Sequence, residues 1–288
     1  MPKRINRAIE MLEQDQPVYY TGFSAVSHEA GLEMAGTHAD YINVSMEHGT
    51  FDLPGLDSFM KGLKAAGPTR SGHPTPAVIA DLPPDGSSEA VVRANAWLFE
   101  QVLDRGVHGI LLCHAESPDA VAALVEECRY SFQTAARDRV PQGRRGNGGQ
   151  GSAAAIWGVT VEEYLRLADF WPLNPEGELM LGLKIENRRA VENVEQTLKV
   201  PGIAFAEWGP GDNHWSHGEM IRAQPYSAEM VAIRQRVKDA CDANGIAFLD
   251  GASEESIGET IDEGVRIIGT SEEAAAIGRK HTGRRMPV

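Results

Sequence analysis

Residues 178–208 read ELMLGLKIENRRAVENVEQTLKVPGIAFAEW. ELMLGLKIE (178–186) is an apolar run of strand length, Asn187 to Leu198 has helical character, and GIAFAEW (202–208) is a second strand. A strand, a helix and a strand in close succession make a βαβ unit, whose strands run parallel. The alternation continues in both directions. Upstream lie VYYTGF (18–23), DYINVSM (40–46), PAVIADL (76–82) and VHGILLC (107–113), with helices at 28–36, from Leu56 to Ala66, from Ser87 to Asp104 and from Pro118 to Cys128. Downstream lie a helix from Ser227 to Asn244, the strand GIAFLDG, the helix SEESIGETIDEG, the strand VRIIG and a last helix from Ser271. Eight strands, most followed by a helix, predict a (β/α)8 barrel, an α/β fold. A doubly wound open sheet is the alternative, but no GxGxxG follows the first strand. No linker or charge step divides the chain, so a single domain over 1–288 is expected, and no internal repeat stands out. Residues 131–155, with QGRRGNGGQGSAAA, lack periodicity and are expected to form a long Gly/Arg-rich loop over the barrel mouth.

The composition narrows the chemistry. The 288 residues are 42% hydrophobic and 24% charged, which suits a folded core. A net charge of −14 argues against nucleic acid or an anionic membrane as partner. Cys113, Cys128 and Cys241 form no CxxC pair, which excludes a disulfide framework or a cysteine zinc site and fits a reduced cytoplasm. No apolar run approaches the ~20 residues of a membrane span. The opening MPKRINRAIEMLEQDQ turns acidic where a signal peptide would be apolar.

In a barrel of this type the chemistry lies at the carboxyl ends of the strands. His28, His38, His73 and His281 fall in helix starts, turns or the tail and read as exposed or capping residues. Glu47-His48 ends the second strand, where a histidine suits a general base; the plainer reading is a loop histidine on backbone carbonyls. Asp104, in LDRG, ends a helix where an acid is disfavoured by the helix dipole, so it either orients a histidine or is an ordinary surface carboxylate. Glu186 ends the fifth strand, and Lys184, two residues earlier, shares its strand face. Asp212, in GPGDN, follows the sixth strand. Glu186 and Asp212 on adjacent strands can hold one hard divalent cation, or each can cap a helix or pair with an arginine. His114 ends the fourth strand and belongs either to a pocket or to the core. Trp208, His214, Trp215 and His217 crowd the loop after the sixth strand, as pocket wall or as packing.

Taken in order, DYINVSMEHG, LDRGVHGILL, a GRRG loop, LKIENRRAVENVEQTLKVPGI and WGPGDNHWSHG resemble the HpcH/HpaI aldolase family, class II pyruvate aldolases of the phosphoenolpyruvate/pyruvate barrel superfamily. The resemblance spans about residues 15–270. It implies that His48 is the base and that Asp104 supports it. It also implies that Glu186 and Asp212 bind Mg²⁺, Mn²⁺ or Co²⁺, and that the amides of Gly211 and Asp212 bind the substrate carboxylate. His114 and Trp208 are expected beside the substrate. A hexamer built as a trimer of dimers is the assembly the resemblance implies. The chain departs from the pattern in three places. Ile79 and Ala80 stand where the family has an arginine, Lys184 where it has a glutamine, and Ser45 where an acid is common.

These features predict a cytoplasmic, metal-dependent carbon–carbon lyase that takes a small 2-oxo acid and an aldehyde. The ion polarises the keto group, His48 moves the proton of the aldol hydroxyl, and Lys184 supplies part of the charge of the missing arginine. Three alternatives stand beside this: decarboxylation or a retro-Claisen step on the same site, Schiff-base chemistry at Lys184, and a catalytically reduced binding protein.

Overall fold

In the computed structural model, which describes residues 3–220 and 224–288, the apolar segments pair side by side, all parallel. They are β1 (Val18–Phe23), β2 (Tyr41–Ser45), β3 (Ala77–Asp85), β4 (Gly109–Cys113), β5 (Phe170–Trp171), β6 (Leu179–Lys184), β7 (Ile203–Glu207), β8 (Ala247–Gly251) and β9 (Ile267–Gly269). β4, β3, β2, β1, β9, β8, β7 and β6 neighbour one another in that order, and β6 pairs back onto β4. The ring is closed, and the fold is a (β/α)8 barrel. β5 is a two-residue addition beside the start of β6, with Phe170 opposite Leu179.

The period of two along each strand sorts side chains into two layers. Ile42, Val44, Val78, Ala80, Leu181, Leu183 and Phe248 point outward, into one core with the surrounding helices. Tyr41, Ile79, Leu111, Met180, Phe205, Leu249 and Ile267 point inward and fill the lower barrel. Gly182 is glycine because a Cβ there would lie 2.1 Å from the Phe205 ring. Two residues beyond these apolar positions, or four on β6, the same inward rows continue in Asn43, Asp81, Lys184 and Glu207, which line one cavity at the carboxyl end. The alternation that fills the floor with hydrocarbon thus fills the mouth with charge.

The far end is closed by a helix that the sequence pattern left unassigned, Arg7–Glu13. Its Ala8, Ile9 and Met11 join the inner core. Asn6 caps it by accepting from the Ala8 amide at 3.0 Å, and buried Glu178 accepts from the amides of Ile5 and Asn6 at 3.1 and 2.8 Å.

Two sequence expectations change. The helix from Ser87 to Asp104 is two pieces, Glu89–Ala94 and Ala96–Leu103. They break at Asn95, whose side-chain amide donates to the Val91 carbonyl at 2.9 Å and competes with helical bonding. The expected loop at 131–155 is shorter, because Gln150–Trp157 is a helix. It also lies away from the mouth. Arg129 binds Asp169, just before β5, at 2.6 Å, and buried Arg145 binds Asp104, ahead of β4, at 2.9 Å. Both aspartates precede strands, so the loop is fastened to the amino-terminal end of the barrel. Helix Pro118–Cys128 returns the chain to that end, which is why the loop emerges there.

Candidate active site

The mouth is organised around one ammonium group. Lys184, the last residue of β6, donates to Glu47 Oε2 and lies 3.6 Å from Asp81 Oδ2. Asp81 is fixed from behind: Asn43 Nδ2 donates to it at 3.0 Å, and the amides of Met46 and Glu47 donate at 2.9 and 3.3 Å. The register that sets Ser45 opposite Asp81 brings the β2 end and the β3 end together for these bonds. Burial alone would lower the Lys184 pKa. Cys113, Glu186, Asp81 and Glu207 outweigh it and hold the group well above the ordinary lysine value, so it stays charged.

Glu186 follows β6 on the same face and is buried. Its Oε1 accepts from the His114 amide at 2.8 Å. Burial pushes its carboxyl up to about 8, with Glu47 and Glu207 adding to the rise against the opposing pull of Lys184 and the His114 amide. Glu207, at the end of β7, is likewise pushed up to about 7, chiefly by burial. Four carboxyls thus surround one ammonium. Ligand atoms of Glu47, Cys113 and Glu186 come within 4.8 Å of one another.

His114 follows β4 with a left-handed backbone (φ +44°), an uncommon conformation for a residue with a Cβ. Its ring sits between two glutamates, with Nδ1 3.6 Å from Glu186 and Nε2 3.8 Å from Glu47. Asn187 Nδ2 lies 3.1 Å from His114 Nδ1 and donates to Glu116 Oε1 at 2.9 Å. Its Oδ1 accepts from the Ala190 amide, which fixes the orientation of the Asn187 amide. With Nδ1 accepting, a neutral His114 keeps its proton on Nε2, toward Glu47.

The helix after β7, Pro210–Ser216, stands in place of the expected loop. Gly209 leads into it at φ +51°, and a Cβ there would lie 2.2 Å from the Cβ of Glu186. Only glycine lets the chain pass this close to Glu186 in that conformation. Asp212 lies in the first turn with no hydrogen-bond or ion-pair partner among the described residues, and Gly211 is exposed beside it.

The remaining expected residues divide. His48 lies next to the mouth, with 71% of its side chain exposed and Nε2 3.5 Å from Glu47. Its neighbouring carboxylate is therefore Glu47 rather than Asp104. Asp104 ends the helix leading into β4, a strand length of roughly 17 Å away at the opposite end, and is engaged by Arg145. Trp208 is fully buried, donates to Asp250 Oδ1 at 3.1 Å and packs edge-on against Tyr226, so it is a packing residue. His214 is buried within the short helix, while Trp215 is 69% exposed. Ile79 and Ala80 are buried in the two cores. Asn43, Glu47, Asp81 and Glu207 were not singled out in the sequence. Each is a polar residue within or just past an otherwise apolar strand, and that interruption of the apolar run was the available signal.

Known proteins share this fold. The chain is 27% identical over 239 residues to a hydroxypyruvate/pyruvate aldolase of Paraburkholderia phytofirmans, a match covering 82% of this chain and 79% of the relative. The crystal structure of an HpcH/HpaI aldolase/citrate lyase family protein from Burkholderia cenocepacia superposes with a TM-score of 0.70 at 21% identity, over 96% of each chain. A more distant fold relative is the citrate lyase beta subunit of M. tuberculosis complexed with oxaloacetate and magnesium, with a TM-score of 0.55 at 13% identity, covering 92% of this chain and 96% of that one. The family model for HpcH/HpaI aldolase/citrate lyase matches residues 74–278, and the chain belongs to that family.

Proposed function

We propose that this protein is a divalent-metal-dependent carbon–carbon lyase that cleaves or forms 4-hydroxy-2-oxo acids. The observation that carries this reading is the surplus of acid at the mouth. Glu47, Asp81, Glu186 and Glu207 face one ammonium, and burial drives two of them toward neutrality. Oxygen donors crowded into a partly buried site with too little positive charge are the donor set of a hard divalent cation. Glu186 and Asp212, whose carboxylate has no partner among the described residues, would hold it, with Glu47 nearby. The relatives' names, an aldolase and a magnesium- and oxaloacetate-bound lyase subunit, agree with this assignment.

Such an ion, when bound, polarises the 2-oxo group as a Lewis acid. The chain's own residues supply the rest. His48, oriented by Glu47, takes the proton of the 4-hydroxyl as the bond between C3 and C4 breaks. An aldehyde leaves, and a pyruvate-type enolate remains to be protonated at C3. The amides of Gly211 and Asp212, at the start of helix Pro210–Ser216, are free to bind the substrate carboxylate. Lys184 contributes fixed positive charge to the electrostatics of the mouth. It does not suit the Schiff-base alternative, which needs a neutral amine.

A second reading assigns the proton to His114, because its ring touches both Glu47 and Glu186. Pyruvate release from a panel of 4-hydroxy-2-oxo acids tests both. Wild-type protein with Mg²⁺ or Mn²⁺ should release pyruvate. His48→Ala should lower turnover roughly 10²–10⁴-fold, the usual contribution of general acid–base catalysis. A loss of that size in His114→Ala, with His48→Ala near normal, moves the base to His114. No pyruvate from any member, with metal bound, contradicts the lyase assignment.

A further inference from the structure

The cavity inside the mouth measures about 460 Å³ and is lined by Tyr20, Tyr41, Asn43, Asp81, Lys184 and Glu207, among others. Its polar groups are unevenly used. Lys184, the cation on its wall, is already engaged by Glu47 and Asp81. Asp81 is engaged by Lys184, Asn43 and two backbone amides. The Glu207 carboxyl has no hydrogen-bond or ion-pair partner among the described residues. Asn43 is 9% exposed, and its Oδ1 is buried without a partner. Because its Nδ2 must face the acceptor-only carboxylate of Asp81, the free atom is the amide oxygen, also an acceptor. The Tyr41 hydroxyl is buried and unpartnered as well. The Tyr20 and Tyr41 rings stack 5.1 Å apart along the wall.

A partnerless carboxylate, an orphan amide oxygen and aromatic rings share one complement, a compact cation with several N–H donors. A second carboxylate on the ligand would meet Glu207 and Asp81, with the one ammonium already occupied. We propose that this cavity binds a primary ammonium group, so that the aldehyde half of the substrate is an amino-aldehyde. This deepens the lyase reading and rests on it for the fate of the bound fragment. Glu207 is the specificity residue and Asn43 the second contact. In the cleavage direction the product would be pyruvate plus an aldehyde that carries a protonated amine, which a transaminase or amine-oxidising class of reaction could supply or consume.

Unreactive probes separate the pocket from the chemistry. Isothermal titration would compare 3-aminopropan-1-ol, butan-1-ol and 3-hydroxypropanoate on the full chain, with and without saturating Mg²⁺, at mildly alkaline pH, because burial raises the pKa of the Glu207 carboxyl. The ammonium probe should bind at least tenfold more tightly than the neutral one, and the anion most weakly. Glu207→Gln should abolish the tenfold preference, and Glu207→Asp should retain part of it. Equal binding of the three probes, a preference for the anion, displacement of the amine by Mg²⁺, or an unchanged preference in a folded Glu207→Gln protein would each overturn the proposal. If Glu207→Gln does not fold, the wild-type ranking decides alone. Amine binding in a protein that releases no pyruvate from any aldol would contradict the lyase reading and leave the pocket standing. Pyruvate release without an amine preference would overturn the pocket alone.

Discussion

Lys184 holds two acids at once, and its replacement exposes both. Removing one member of a buried ion pair commonly costs about 3–5 kcal/mol, because the partner charge is left buried and unpaired. Lys184→Gln should therefore lower the free energy of unfolding by about that amount, measured by urea denaturation. Adding Asp81→Asn removes one of the two stranded charges, so the double variant should be more stable than Lys184→Gln alone. Additive losses would mean that Asp81 does not depend on Lys184. The lysine was legible in the sequence as a group sharing a strand face with Glu186, but its partners were not. Glu47 and Asp81 come from β2 and β3, more than 100 residues away in the chain, and only barrel closure brings them to β6. Asp104 fails for the converse reason. Its LDRG context resembles a supporting carboxylate, yet it precedes a strand, and residues that precede strands gather at the end opposite the chemistry.

At the scale of elements, the turn from β7 into helix Pro210–Ser216 fixes the distance between Glu186 and Asp212. Gly209 there has φ +51° and lies against the Cβ of Glu186. Gly209→Ala should cost about 1–3 kcal/mol in backbone strain and displacement, and should weaken Mn²⁺ binding and turnover together by tenfold or more. Titration of Mn²⁺ by its electron paramagnetic resonance signal reads the first of these directly. Unchanged Mn²⁺ affinity would separate this turn from the metal site. The strands themselves were readable because their apolar runs are bounded by glycine and polar turns, and all eight barrel strands lie where alternation predicts them. Five elements escaped: helix Val161–Leu167, the short strand β5 and three further helices. Helix Arg7–Glu13 begins in a charged stretch, helix Gln150–Trp157 is hidden by flanking glycines, and Pro210–Ser216 is a short helix of about two turns that begins within GPG. Each is set by contacts with the barrel rather than by its own periodicity.

For the whole molecule, burial raises the pKa of several carboxyls, so stability should decline as pH rises through the range in which they titrate. Glu178, under the barrel floor, isolates the effect because it lies outside the site. Burial pushes its carboxyl up to about 7, against the opposing pull of the Asn6 and Ile5 amides and Arg4. Between the ordinary glutamate value and about 7, the folded state holds a proton that the unfolded state releases. Stability therefore falls as pH rises through that window, by an amount on the order of 3 kcal/mol at most. Glu178→Gln keeps an oxygen for the two amides and removes the titration, so its stability should vary less with pH than the wild type between about 4.5 and 7. Parallel pH profiles for the two proteins would contradict this account of Glu178.

The chemistry proposed for the molecule as a whole turns on a divalent metal ion during carbon–carbon cleavage. Pyruvate release from a 4-hydroxy-2-oxo acid, followed through exhaustive chelation with metal content verified by mass spectrometry, tests it most directly. Activity should vanish with the metal and return with Mg²⁺, Mn²⁺ or Co²⁺, and Glu186→Gln should neither bind the ion tightly nor recover. Full pyruvate release from verified metal-free protein would show that cleavage needs no metal.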